Sequence, residues 1–172
     1  MKTNQKGMSL IEIIIVIALV GILAGTSVTL IGHVHYANTK KTVESMDSAL
    51  DKLQVNSMSK QDKTYLYIYK LSDGYYMKQL TDVITTFDGT KFDSNGTKLS
   101  GNSTQVYLES ESGTLVDGNV FIRISYKKSG VFDKETITGS TELGTNVDKI
   151  VVKGNGTYTI TLVGATGKHP IS

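Results

Sequence analysis

The sequence predicts an α+β chain in which one long N-terminal helix packs on a C-terminal antiparallel β-sheet. Three observations predict it. Residues 8–32 form an apolar run with Glu12 as the one ionisable side chain, residues 33–60 are amphipathic, and from Lys63 onward the pattern alternates in the manner of strands broken by Gly and Asn.

The apolar run comes first. As a helix its 25 or so residues would span ~37 Å, enough to cross a hydrocarbon core. Lys2 and Lys6 precede it, and positive flanks stay on the cytoplasmic side, so the rest of the chain is expected outside. In residues 33–60, Val43, Met46, Leu50 and Leu53 recur at heptad-like intervals, while Lys40, Lys41, Glu44, Asp47, Asp51 and Lys52 occupy other faces. That spacing predicts an amphipathic continuation of the same helix. The sole proline is Pro170, so none interrupts a helix that would run ~77 Å from Ser9 to about Ser59; Gly32 is its weakest point.

The β-rich part, 61–172, opens with TYLYIYKLSDGYYMKQL. Here Tyr65, Tyr67 and Tyr69 alternate with Leu66 and Ile68 before a turn at Asp73-Gly74, which reads as a hairpin. TQVYLES and NVFIRISYKK read as two further strands, and DKIVVKGNGTYTITLVG as a second hairpin turning on Gly154-Asn155-Gly156. Residues 88–102 and 139–146, rich in Gly, Ser, Asn and Thr, read as loops.

Composition narrows the chemistry. The 172 residues suit one domain plus a membrane segment. With Cys at 0, disulfides, thiol nucleophiles and Cys-based zinc sites are excluded. Of the 18 basic residues two precede the apolar run, which leaves 16 against the 16 acidic residues, Glu12 included. A balanced body argues against a large nucleic-acid footprint.

Glu12 needs an explanation, because an acid in a membrane helix costs roughly 2.5–3.5 kcal/mol at the bilayer centre. Ser9-Leu10-Ile11-Glu12 fits the S-x-x-E capping box, with Glu12 satisfying its own helix's amino end. The front end also admits other readings. A secretory signal rarely carries an acid at the start of its apolar region. A lipoprotein signal fails because Thr26 stands after Leu23-Ala24-Gly25 where a Cys is required. An uncleaved anchor is the plain alternative.

Lys6-Gly7, then Met8-Ser9-Leu10-Ile11-Glu12, then about 20 apolar residues, resembles the class III leader of type IV pilins and pseudopilins. The resemblance covers 1–32 as a motif and the remainder only as a plan of helix followed by sheet. It implies cleavage between Gly7 and Met8 by a membrane-embedded prepilin peptidase, methylation of the new Met8 amine, and polymerisation through the helix. It also supplies Glu12 with a partner, the cationic amine of a neighbouring subunit. Charges that are expensive singly in apolar surroundings are tolerable as a pair, which then acts as a register device. The capping box and the intersubunit pair can coexist, one before assembly and one after. The sequence departs from the family in having Met8 where many members have Phe and Thr29 where many have a helix-loosening Pro. Gly21-x-x-x-Gly25 offers a close-packing face.

On the resemblance the chain is expected to be a filament subunit and not an enzyme, with no cofactor, serving adhesion, motility or biofilm formation. The expected domains are a leader at 1–7, a transmembrane and filament-core helix at 8–32, its amphipathic continuation at 33–60, and a β-rich head at 61–172. Implied partners are further pilin subunits, the prepilin peptidase/methyltransferase, an assembly platform with its ATPase, and the membrane before assembly; nucleic acid is not expected. The protein would sit as a single-pass membrane protein and then in a surface filament. Alternatives are a pseudopilin of a type II secretion or competence DNA-uptake machine, or an uncleaved single-span surface protein with a β-rich binding domain.

Other constellations carry less. His33 and His35, two apart, do not share a helix face, and His169 sits in the tail. Ser57–Lys60 and Ser125–Lys128 satisfy S-x-x-K without the companion motifs of that enzyme class. Asp88, Asp93 and Asn95 could offer oxygens to calcium, but their spacing is not the EF-hand register and Asp-Gly and Asn-Gly are turn formers first. The tyrosine row with Lys70 and Lys78 could stack on single-stranded DNA, although alternating tyrosines more often pack on a helix or form an amphipathic sheet face.

Overall fold

A computed structural model describes residues 10–59, 62–109, 113–133, 138–139 and 148–172, with the backbone alone for 26–35 and 138–139. Its first element is the helix α1 (Leu10–Ser59). By its contacts the chain divides into two units, Met1–Val34 and His35–Ser172.

Within the second unit, α1 buries Thr39, Thr42, Val43, Met46, Ala49, Leu50, Leu53 and Ser57. These recur every three or four residues, as one stripe of a 3.6-residue helix must. No Gly or Pro falls between His33 and Ser59 to weaken the helix. The Thr42 hydroxyl lies 2.9 Å from the Asn38 carbonyl oxygen and 3.1 Å from that of Leu99, tying the helix to the sheet beneath.

Nine strands follow among the described residues: β1 (Tyr65–Leu71), β2 (Gly74–Leu80), β3 (Thr97–Ser100), β4 (Gln105–Leu108), β5 (Thr114–Leu115), β6 (Ile122–Ile124), β7 (Thr138–Gly139), β8 (Lys149–Lys153) and β9 (Thr157–Thr161). They form not one antiparallel sheet but two, ordered β3-β2-β1-β6-β7 and β5-β4-β8-β9. Both expected hairpins are present. β1 and β2 pair from Tyr65↔Leu80 to Leu71↔Gly74, and β8 and β9 from Lys149↔Thr161 to Lys153↔Thr157. At the first turn Gly74 has φ 142°, and a Cβ there would lie 2.0 Å from the Ser100 carbonyl oxygen, so the close approach of β3 requires glycine.

One core joins the helix stripe to both sheets. Met46, Leu50 and Leu53 meet Leu66 and Ile68 of β1, Ile122 and Ile124 of β6, Val106 and Leu108 of β4, and Ile150 and Val152 of β8. Fully burying one such side chain stabilises by roughly 1.5–3 kcal/mol.

The tyrosine row goes elsewhere. Tyr65, Tyr67 and Tyr69 point to the opposite face of β1 and are buried in a second cluster with Tyr76, Ile84, Phe92 and Phe121. The cover is the loop 81–96, which behaves as a flap pinned by side chains. The Tyr67 hydroxyl donates to the Asp82 carbonyl at 2.8 Å and accepts from the Ile84 amide at 2.9 Å. Tyr69 donates to the Asp93 carbonyl at 2.7 Å, and Arg123 to the Ile84 carbonyl at 3.1 Å. The rings therefore neither pack on the helix nor face a ligand, and stacking on a nucleic-acid base is ruled out for all three. Part of the expected loop 88–102 is also strand, since Thr97–Ser100 pair with β2.

The chain's last residues are built into the second sheet. Val163 N donates to Lys168 O at 2.9 Å, Thr161 N to Pro170 O at 3.0 Å and Ser172 N to Thr159 O at 2.9 Å. The tail thus runs back along β9.

In the Met1–Val34 unit, the described side chains from Leu10 to Gly25 are all exposed. Among the described residues no helix is long and apolar enough to cross a membrane. The expected span 8–32 lies partly outside them.

Candidate functional site: an apolar helix surface carrying one carboxylate

Leu10, Ile11, Ile14, Ile17, Val20, Ile22 and Leu23 of α1 are 56–78% exposed. Apolar residues also fill the intervening positions, so this surface runs round the helix and is not a stripe. An isolated exposed leucine needs no explanation, but a contiguous apolar surface of this extent marks a place that something else covers. Glu12 is the acidic group in the first turn of α1 and is exposed. A carboxylate there faces the helix end where backbone N–H groups lack partners and the helix dipole favours negative charge. Gly7, Met8 and the capping residue Ser9 lie outside the described residues. At Gly21 and at Gly25 an added Cβ would meet nothing within 4 Å. Neither glycine is therefore required by packing among the described residues.

The calcium candidates resolve as turns. Asp88 Oδ1 accepts from the Thr90 amide at 2.9 Å and the Thr90 hydroxyl at 2.7 Å. Asp93 Oδ1 accepts from Lys78 Nζ at 2.8 Å, and its Oδ2 from the Asn95 side-chain amide at 2.9 Å. The Thr90 hydroxyl holds the Asp88 carboxyl below the usual carboxylate range, and Lys78 does the same for Asp93. Asp93 is thus neutralised by a lysine and turned into the flap, where it closes an Asx-type turn. Asp88 Oδ1 and both carboxylate oxygens of Asp93 are engaged in these turn and lysine contacts.

Sequence reasoning missed a cluster that the fold does assemble. His169, assigned to the tail, places Nε2 3.4 Å from Asp47 Oδ1 and 3.3 Å from Asp51 Oδ1. Asp47 and Asp51 are four apart on α1 and so share a face. Their i,i+4 spacing was the only available signal; nothing local announces a histidine 118 residues beyond Asp51. His33 and His35 fall where the backbone alone is described.

Residues 2–28 match the family of the prokaryotic N-terminal methylation motif. This segment is the class III prepilin leader found in type IV pilins and pseudopilins. The match includes Gly7, Met8, Glu12, Gly21 and Gly25. A motif of this kind implies a structural rather than a catalytic protein, and in general implies peptidase processing and polymerisation. No curated protein and no solved structure matches the chain.

Proposed function

We propose that the chain is a structural subunit of a type IV pilus-like filament, cut after Gly7 and polymerised through its N-terminal helix. The observation that carries this reading is the methylation motif at 2–28, whose described part lies on a helix with exposed apolar side chains from Leu10 to Leu23. In this reading residues 8–32 are held in the membrane before assembly and in the filament core afterwards. Residues 33–60 carry the helix into the β-rich head, 61–172, which the filament displays at the cell surface.

Glu12 then has a defined task. Cleavage creates a cationic amine at Met8, methylated or not, and a neighbouring subunit's Glu12 neutralises it in the dry core. Removing either charge strands the other in apolar surroundings, which is far worse than removing both. Small residues at Gly21 and Gly25 let neighbouring helices approach closely. The broad apolar surface supplies attraction, and the single buried pair fixes register. Adhesion, motility and biofilm formation are the roles such a filament would serve.

The test is intact-mass measurement and amino-terminal sequencing of the protein recovered from the native cell surface. The expected chain begins at Met8 and carries one extra methyl group on its amine. A chain still beginning at Met1 would return Glu12 to a helix cap on an ordinary anchor.

A further inference from the structure

Asp47 Oδ1, Asp51 Oδ1 and His169 Nε2 all lie within 4.8 Å of one another. The imidazole is 8% exposed, against 37% for Asp47 and 67% for Asp51, so a buried ring meets two carboxylates at the protein surface. Its orientation is fixed from behind. Nδ1 lies 3.2 Å from the Tyr126 hydroxyl and 3.4 Å from the Gly167 carbonyl oxygen. Phe132 stands nearly perpendicular to the ring, and the tail backbone on either side is hydrogen-bonded to β9 and the segment after it. Nδ1 is thus held toward the interior and Nε2 faces the two carboxylates, so one imidazole nitrogen and two carboxylate oxygens converge at the surface. This is the arrangement in which a ligating histidine is held by an outer hydrogen bond.

The separations of 3.3 and 3.4 Å from Nε2 to the two carboxylate oxygens leave room for a small cation between them. A tetrahedral ion with bonds of ~2.0–2.1 Å to nitrogen and ~2.0–2.2 Å to oxygen sets its ligand atoms about 3.3–3.5 Å apart. The two nitrogen–oxygen separations match the edges of such a tetrahedron. One nitrogen and two oxygens suit zinc, with the fourth position facing solvent; calcium would want six or more oxygens.

We propose that Asp47, Asp51 and His169 form a mononuclear site for a zinc-type divalent cation, clipping the C-terminal tail to α1. The clip joins positions 51 and 169, far apart in a chain that has no cysteine to staple them. A cross-link across so long a loop restricts the unfolded ensemble strongly. All three ligands lie in the His35–Ser172 unit, so the site stands whether or not the chain polymerises.

The experiment titrates ZnCl2 into the untagged, metal-stripped full chain in detergent, followed by calorimetry and by thermal unfolding. One zinc per chain is expected, with Tm rising by about 5–10 °C at ~100 times Kd and returning to its starting value on adding EDTA. Asp51→Asn, at an exposed position, is expected to keep the metal-free Tm and to bind zinc at least ~10-fold more weakly; His169→Gln should weaken binding similarly. Absence of binding in the parent chain would overturn the proposal. So would full-strength binding in both variants, which would put the metal elsewhere, His33 and His35 included. Calcium binding without zinc binding would overturn it as well.

Discussion

Two stretches of α1 are both rich in Leu, Ile, Val and Met, yet end in opposite environments. From Leu10 to Leu23 the large apolar side chains stand exposed. From Thr39 to Ser57, Val43, Met46, Ala49, Leu50 and Leu53 are buried beneath two sheets, and Val55 alone among the apolar residues is exposed. The difference is the width of the apolar surface. The second stretch confines its apolar residues to a stripe, which one body can cover while charged residues face water. The first is apolar all round, and no single body on one side can cover it. Among the described residues nothing covers it, and in the filament reading its cover is a ring of neighbouring helices.

Breaking the covered half gives the largest expected effects. Phe92→Ala removes the ring at the centre of the flap cluster, where it stacks on Tyr69 with centroids 4.7 Å apart and meets Phe121 at 5.0 Å. The expected loss is about 3–5 kcal/mol, and Leu50→Ala in the helix stripe should lose ~2–5 kcal/mol. Both are read from urea unfolding of the full chain in detergent, by far-UV signal of the β-rich unit. A loss below ~1 kcal/mol for Phe92→Ala would show that the flap is dispensable. Gly74→Ala should follow at roughly 1–3 kcal/mol, because β3 must move away from the new methyl.

The pH dependence sharpens the comparison further, since the groups that carry it lie in the body. Lys98 holds the Asp73 carboxyl below its ordinary range, Lys78 that of Asp93 and Lys70 that of Asp117. A carboxyl whose pKa is depressed on folding contributes stability above its unfolded pKa of about 4 and loses it as pH falls through the folded value. At the other end, burial pushes Tyr69 and Tyr75 up to about 12. Their neutral forms are favoured by the fold, so stability is fully present below pH ~10 and falls as pH rises toward 12. The expected Tm profile is flat through neutrality and falls at both ends. An unchanged Tm down to pH ~3 would sink the carboxylate part of the account.

The smallest effects on stability belong to the exposed half. Ile14→Ala and Glu12→Gln should change the unfolding of the body by less than ~0.5 kcal/mol. In the filament reading, Glu12→Gln should nevertheless abolish surface filaments, counted by electron microscopy of cells expressing the variant. Filaments at parental abundance would remove the intersubunit pair from the account.

Some features were legible in the sequence because they are local. The helix stripe at Val43, Met46, Leu50 and Leu53 is written in a period of 3.6, and the hairpins at Asp73-Gly74 and Gly154-Asn155-Gly156 in alternation punctuated by turn residues. The motif at 2–28, with Glu12 inside it, is a pattern of residue types at fixed spacing and needs no fold to be recognised. Tertiary structure alone decided the rest. Alternation shows that Tyr67 and Leu66 face opposite ways, but not that loop 81–96 would cover the tyrosine face, because that cover rests on hydroxyl-to-backbone bonds at Asp82, Ile84 and Asp93. Nor does it show whether the strands close as one sheet or two. His169 reaches Asp47 and Asp51 only after β9 and the returning tail have placed it against the helix. Contacts between residues more than a hundred positions apart leave no periodic trace in the sequence, since they follow from how whole elements stack and not from any spacing along the chain.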